Sequence, residues 1–189
     1  MLTLATAGFD SFNKSFLLSD GSIVACHIKD TAGQERYKSI GISYYRDADA
    51  VLLVYDISER SSFENIKEYF IPHIKEYCKK DIIILLLGNK ADKEKERKVT
   101  TEEGINLAMQ ENYEFKESSC LHNMNVADAF EYLVEKWNLL NKKKEKEINN
   151  DNENNGKGNK VKKRKDKKNK NIKIDSKTNQ SSQSKGGCC

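Results

Sequence analysis

Two uninterrupted apolar runs, Ala50 to Tyr55 (AVLLVY) and Ile82 to Leu87 (IIILLL), constrain this fold more than any other feature. Both are of strand length. A strand with no polar alternation needs cover on both faces, as in the middle of a parallel sheet. A third mostly apolar run, Ser22 to Lys29, follows the hairpin pair Asp20-Gly21, so Phe12 to Leu18 reads as its antiparallel partner. Helical patterns alternate with these runs. Ser61-Ser62 caps a helix carrying Phe63, Ile66, Phe70, Ile74 and Tyr77, kinked at Pro72. Thr100 or Thr101 with Glu102-Glu103 caps the next, with Ile105, Ala108 and Met109 as its buried face. Val126 to Leu140 is a third, striped by Ala129, Phe130, Leu133, Val134 and Trp137. Strands alternating with helices predict an α/β fold with a mostly parallel sheet flanked by helices.

After Leu140 the periodicity stops. From Asn141 to the end there are 16 Lys and Arg against 6 Asp and Glu, leaving 17 against 23 in the remainder, so an acidic body carries a basic tail. Residues 142–189 hold only isolated Ile148, Val161, Ile172 and Ile174 among Lys, Asn and Ser. Such a segment buries too little apolar surface to offset its ordering entropy, so it reads as disordered. No N-terminal signal pattern and no run near membrane-spanning length is present. Cys26, Cys78 and Cys120 are scattered singly and read as reduced cytosolic thiols, whereas Cys188-Cys189 stand at the end.

Two polar boxes follow the strands. Asp30-Thr31-Ala32-Gly33-Gln34-Glu35 follows the Ser22–Lys29 run, where an α/β sheet places ligand-facing loops. Asp30 would approach a nucleotide's Mg²⁺ through water. The Gly33 N–H can meet a γ-phosphate because no side chain blocks it, and Gln34 can orient the attacking water. Asn89-Lys90-Ala91-Asp92 follows the Ile82–Leu87 run. The Asp92 carboxylate can accept two hydrogens from the guanine edge, which adenine cannot supply, and the Lys90 stem can lie along the base. Either box alone would read as a polar loop. In order, each at a strand's carboxyl end, they predict guanine nucleotide binding.

From about Thr6 to Asn141 the chain resembles a Rab-type small GTPase of the Ras superfamily. Beyond the two boxes, the likeness rests on Glu35-Arg36-Tyr37, Tyr44-Tyr45-Arg46-Asp47-Ala48, Leu53-Val54-Tyr55-Asp56-Ile57 and the terminal Cys188-Cys189. Tyr77-Cys78, Asp81-Ile82 and Lys93-Glu94 resemble the eighteenth Rab subfamily.

The resemblance implies a P-loop NTPase-type fold, GTP/GDP with Mg²⁺, and a switch in vesicle-mediated protein transport. It makes Thr6, of Thr6-Ala7-Gly8, the sensor of Mg²⁺ and γ-phosphate. It aligns Ser119-Cys120-Leu121 with the family's Ser-Ala-Lys, so that the Ser119–Cys120 loop reaches the base through the Cys120 N–H while Leu121 loses the lysine's packing role. Lys29 replaces the usual Trp of the effector surface. Cys188 and Cys189 would carry geranylgeranyl chains that bind the protein to the cytoplasmic face of an intracellular membrane. Rab escort and dissociation-inhibitor proteins, an exchange factor, a GTPase-activating protein and effectors are the implied partners. Lys162-Lys163-Arg164-Lys165 lacks interleaved aromatics, which disfavours nucleic acid.

One departure dominates. No segment fits G-x-x-x-x-G-K-[ST], so the family's first strand, P-loop and first helix are missing from this sequence. That reads as an active Rab whose start is absent, with residues 1–141 an incomplete GTPase domain. It predicts inefficient GTP hydrolysis and a sheet with two strand edges facing a gap. A non-catalytic prenylated binding module with weak or no nucleotide binding is the alternative.

Overall fold

The computed structural model describes residues 9–31, 46–154 and 171–178. Strands β1 (Phe9–Leu17), β2 (Ile23–Thr31), β3 (Ala50–Asp56), β4 (Ile83–Asn89), β5 (Glu114–Glu117) and β6 (Asn171–Thr178) form one sheet in the order β1-β2-β6-β3-β4-β5. Only β1 runs antiparallel, paired with β2 from Phe9↔Thr31 to Leu17↔Ile23 across the Asp20-Gly21 turn. The predicted α/β architecture is therefore observed.

Alternation explains the two apolar runs. Ala50, Leu52 and Val54 of β3 join Ile83, Leu85 and Leu87 of β4 under Ala129, Leu133 and Val134 of the long helix α4 (Val126–Asn154). Val51, Leu53 and Tyr55 face the opposite way, with Ile84 and Leu86, toward the helices on the second face. Those are α1 (Arg60–Asn65), α2 (Ile71–Tyr77) and α3 (Thr101–Glu111). Every residue of β3 is buried as a result.

The helix expected to kink at Pro72 is split instead. A π turn, Ile66–Phe70, separates α1 from α2, and the Ile71 N–H bonds to the Ile66 carbonyl just before the proline, which has no N–H to give. The predicted cap Ser61-Ser62 moves to Glu59, whose carboxylate accepts from the Ser61 N–H, while Ser62 is buried inside the first turn. Thr100 caps α3 with a complete capping box to Glu103. Of the face predicted for that helix, Ala108 is buried, together with Gly104 and Leu107, whereas Ile105 and Met109 are exposed.

Two corrections concern the basic tail. Helix α4 continues past Leu140 to Asn154, and Lys142 and Lys144 pair with Asp20 and Asp81. Residues 171–178 form β6 rather than lying disordered. The expected gap between the Ser22–Lys29 and Ala50–Tyr55 strands is where β6 lies, pairing with β2 from Ala25↔Asn171 to Thr31↔Lys177 and with β3 from Ala50↔Ile174 to Val54↔Thr178. In that place β6 takes up backbone N–H and C=O groups of both β2 and β3.

Candidate functional site

The carboxyl ends of the parallel strands carry most of the predicted site. At the end of β4, Lys90 adopts left-handed backbone angles (φ 65°, ψ 38°) and turns the chain into a 3₁₀ segment, Ala91–Glu96. The loop after β5 is zipped beside it: the Ser118 N–H donates to Gly88 O at 2.8 Å and the Ala91 N–H donates to Ser118 O at 3.0 Å. Side chains reinforce this contact. The Ser118 hydroxyl donates to Asn89 Oδ1 at 3.2 Å, and Cys120 Sγ lies 3.6 Å from the same oxygen. Ser119 donates to Asp92 Oδ1 at 2.5 Å and accepts from the His122 N–H at 3.2 Å.

The rest of that loop is closed on itself. Ser119 and Met124 exchange backbone hydrogen bonds of 3.0 and 2.9 Å, and Asn125 donates to Glu117 O at 2.7 Å. Asn123 and Asn125 supply its positive φ angles of 52° and 58°, a conformation asparagine tolerates better than most residues. Leu121, standing where the resemblance puts lysine, is exposed.

Asp56, at the end of β3, is buried beside Lys90, with Oδ2 2.6 Å from the ammonium. Burial pushes its carboxyl up. The Lys90 ammonium and the hydroxyl and N–H of Ser58, at 2.6 and 2.8 Å, outweigh that and hold it below the usual range. Sequence reasoning aimed Lys90 at the base and gave Asp56 no role, although a lone aspartate closing an apolar strand marked the position. It also missed Ser118 and Asn125, whose contribution is visible only once the two loops meet.

Asp30 lies one residue before the end of β2, in register with Asp10 on one side and Ser176 on the other. Three strand spacings separate β2 from β4 in the sheet order, about 14 Å. Thr6, Gly33, Gln34, Cys188 and Cys189 lie outside the described residues. Asp30 offers the hard oxygen that Mg²⁺ prefers; among the described residues no cluster of three or more metal-ligating side chains occurs.

Comparison with known proteins gives this site its context. A family described as the Ras family matches residues 2–139. The chain is 48% identical over 127 residues to mouse Ras-related protein Rab-37, covering 67% of this chain and 56% of that protein. It is 45% identical over 127 residues to rat Ras-related protein Rab-26, covering 67% and 49%. With the rice Ras-related protein RIC2 it shares 37% over 186 residues, covering 98% and 79%. The chain thus spans about half the length of the two animal relatives.

Proposed function

Because the chain belongs to the Ras family and is a Rab-type small GTPase, we propose that it binds guanine nucleotide along the carboxyl ends of β2, β3 and β4 and acts as a GTP-dependent switch in vesicle-mediated protein transport. The observation that carries this reading is the Asp92 carboxylate. It stands on the Asn89–Asp92 loop, steadied by Ser119 from the neighbouring loop, with one oxygen engaged. A carboxylate so held accepts hydrogens from guanine N1 and N2, while Asn89 braces both loops through Ser118 and Cys120.

Hydrolysis in this reading is positioning and electrostatics. Gln34 would orient the attacking water, the Gly33 N–H would meet the γ-phosphate, and Thr6 and Asp30 would hold Mg²⁺. Mg²⁺ when bound would neutralise charge on the phosphates. Lys90, paired with Asp56, ties the ends of β3 and β4 together and keeps the base loop in place.

The membrane part of the proposal rests on Cys188-Cys189. Two geranylgeranyl chains would give stable anchoring where one gives only marginal binding, and the basic residues between would favour an anionic cytoplasmic leaflet. Escort and dissociation-inhibitor proteins, an exchange factor, a GTPase-activating protein and effectors are the partners this predicts. The central position of β6 favours a second reading, a prenylated binding module with weak or no nucleotide binding.

The deciding experiment is base preference. Asp92→Asn should move binding from GDP toward xanthosine diphosphate, because xanthine's second carbonyl needs an amide donor where guanine needs a carboxylate. An unchanged preference, read with fluorescent analogues, would reduce the Asn89–Asp92 loop to a structural turn.

A further inference from the structure

Of four non-glycine residues with positive φ among the described residues, three are asparagines and the fourth is Lys90, at 65°. Asparagine tolerates that conformation, whereas a long side chain adopts it only where the surroundings impose it. The backbone on both sides of Lys90 is held. The Asn89 carbonyl accepts from the Ile57 N–H at 3.0 Å, and the Ala91 N–H donates to the Ser118 carbonyl at 3.0 Å. The Lys90 carbonyl accepts from the Lys93 N–H at 2.8 Å. Only the side chain is left to be fixed.

Asp56 fixes it. In the parallel pairing of β3 with β4, Asp56 lies level with Asn89, so Lys90 stands one residue beyond the ladder. Its ammonium turns back to the neighbouring strand and meets Asp56 Oδ2 at 2.6 Å. The carboxylate is held independently of the lysine. Its other oxygen accepts from the Ser58 N–H and hydroxyl, and the Asp56 N–H donates to Ser62 Oγ at 2.9 Å. Ser62 in turn donates to the Glu59 carbonyl at 2.6 Å. The lysine stem therefore runs from the loop after β4 to a fixed, buried carboxylate at the end of β3.

We propose that Asp56 is a positioning residue for nucleotide: by docking the Lys90 ammonium it lays the lysine stem as an apolar shelf for guanine, and it commits the charge of Lys90 to the fold rather than to phosphate. This rests on the guanine-nucleotide reading above. Asp56 acts wholly through Lys90 and touches no part of the nucleotide. A free lysine would lose rotamer freedom on packing against a base. Here the charge-assisted bond to Asp56 has already removed that freedom before the base arrives.

A double-mutant cycle on the full chain tests this, with fluorescent GDP as the probe and circular dichroism as the check on folding. Asp56→Asn keeps the shape of the side chain and removes its charge, and should weaken GDP binding by about tenfold. It should weaken xanthosine diphosphate by the same factor, because base preference belongs to Asp92. Lys90→Met keeps an unbranched stem without the ammonium, so Asp56 no longer has a charge to dock. Adding Asp56→Asn to Lys90→Met should then cause no further loss. That comparison decides even where Asp56→Asn alone fails to fold, since removing both charges leaves neither one buried and unpaired. An equal loss from Asp56→Asn with and without Lys90→Met would show that Asp56 acts on the fold and not through Lys90, which overturns the inference and leaves the guanine reading standing. Unchanged GDP binding by Asp56→Asn overturns it in the same way. Absence of GDP binding by the unaltered chain overturns that reading and the inference with it.

Discussion

Ser119 donates its hydroxyl hydrogen to Asp92 Oδ1 across 2.5 Å, joining the loop that follows β5 to the loop that follows β4. The bond is also the largest influence on the Asp92 carboxyl, holding it below the usual carboxylate range against desolvation. Geometry and charge on the carboxylate proposed to read the base therefore share one cause.

The first prediction follows from that bond. Ser119→Ala should weaken GDP binding by about tenfold, because the carboxylate loses the charge-assisted bond that orients it. The fold should survive, since the Ser119 backbone keeps its two-way pairing with Met124. Circular dichroism unchanged from the parent, with a raised GDP dissociation constant, is the expected result. Unchanged affinity would mean that Ser119 does not position Asp92.

The sequence disclosed most of the sheet because its signals were local. The apolar runs at Ala50 and Ile82, the Asp20-Gly21 turn and the Thr100 capping box each needed only a few neighbouring residues, and the structure contains all four elements. Asn89 and Asp92 were legible for the same reason. The bracing by Ser118, Asn125 and Asp56 was not, because it depends on β3, β4 and β5 ending side by side. β6 was illegible for a stronger reason: Ile172 and Ile174 alone cannot announce a strand, and what makes them one is the pair of edges on β2 and β3. The exposed Ile105 and Met109 show the remaining weakness, since on α3 a neighbouring stripe through Gly104, Leu107 and Ala108 fits the same spacing.

The second prediction concerns Gly104, the reason that stripe wins. A Cβ there would stand 2.5 Å from the Phe115 ring and 2.6 Å from the Tyr55 hydroxyl. Gly104→Ala gains about 1 kcal/mol of helix propensity against an overpacking cost of about 1–3 kcal/mol. A net loss is expected, because the contacts fall on ring carbons of a strand residue. Urea unfolding should show a lower midpoint, and a higher one would mean that Phe115 moves aside freely.

The third prediction uses the same hydroxyl. Tyr55 is buried, packs edge-on against Phe63 at 4.9 Å, and its hydroxyl has no hydrogen-bond partner among the described residues. Burial, the largest influence, pushes its phenol above the ordinary value. Tyr55→Phe removes an unsatisfied polar atom and should stabilise the protein by about 1 kcal/mol. It should also recover part of the Gly104→Ala loss, leaving the Phe115 contact. Destabilisation by Tyr55→Phe in thermal unfolding would show that the hydroxyl has a partner in solution.

The last prediction concerns the opposite edge of the sheet, where Asp20 fastens the β1–β2 turn to α4. Its carboxylate accepts from the Lys142 ammonium, from the Ser22 hydroxyl and from the Ser22 N–H at 2.9 Å, and Asn138 Nδ2 donates to it at 3.1 Å. The Lys142 bond, followed by those of Ser22, holds the carboxyl far below its ordinary value of 3.8. A carboxyl whose folded value is depressed stabilises the protein above its unfolded value, and that contribution is lost as pH falls through the folded one. Asp20→Asn should therefore unfold at a lower temperature than the parent at about pH 7, with the difference shrinking as pH falls below 3.8 toward the depressed folded value. The Lys142 share should fade with added salt, because the Asp20 side chain is 39% exposed. Thermal unfolding of both proteins at the two pH values separates charge from shape. A difference that persists unchanged in acid would mean that the hydrogen-bonding outline of Asp20, rather than its negative charge, secures the turn.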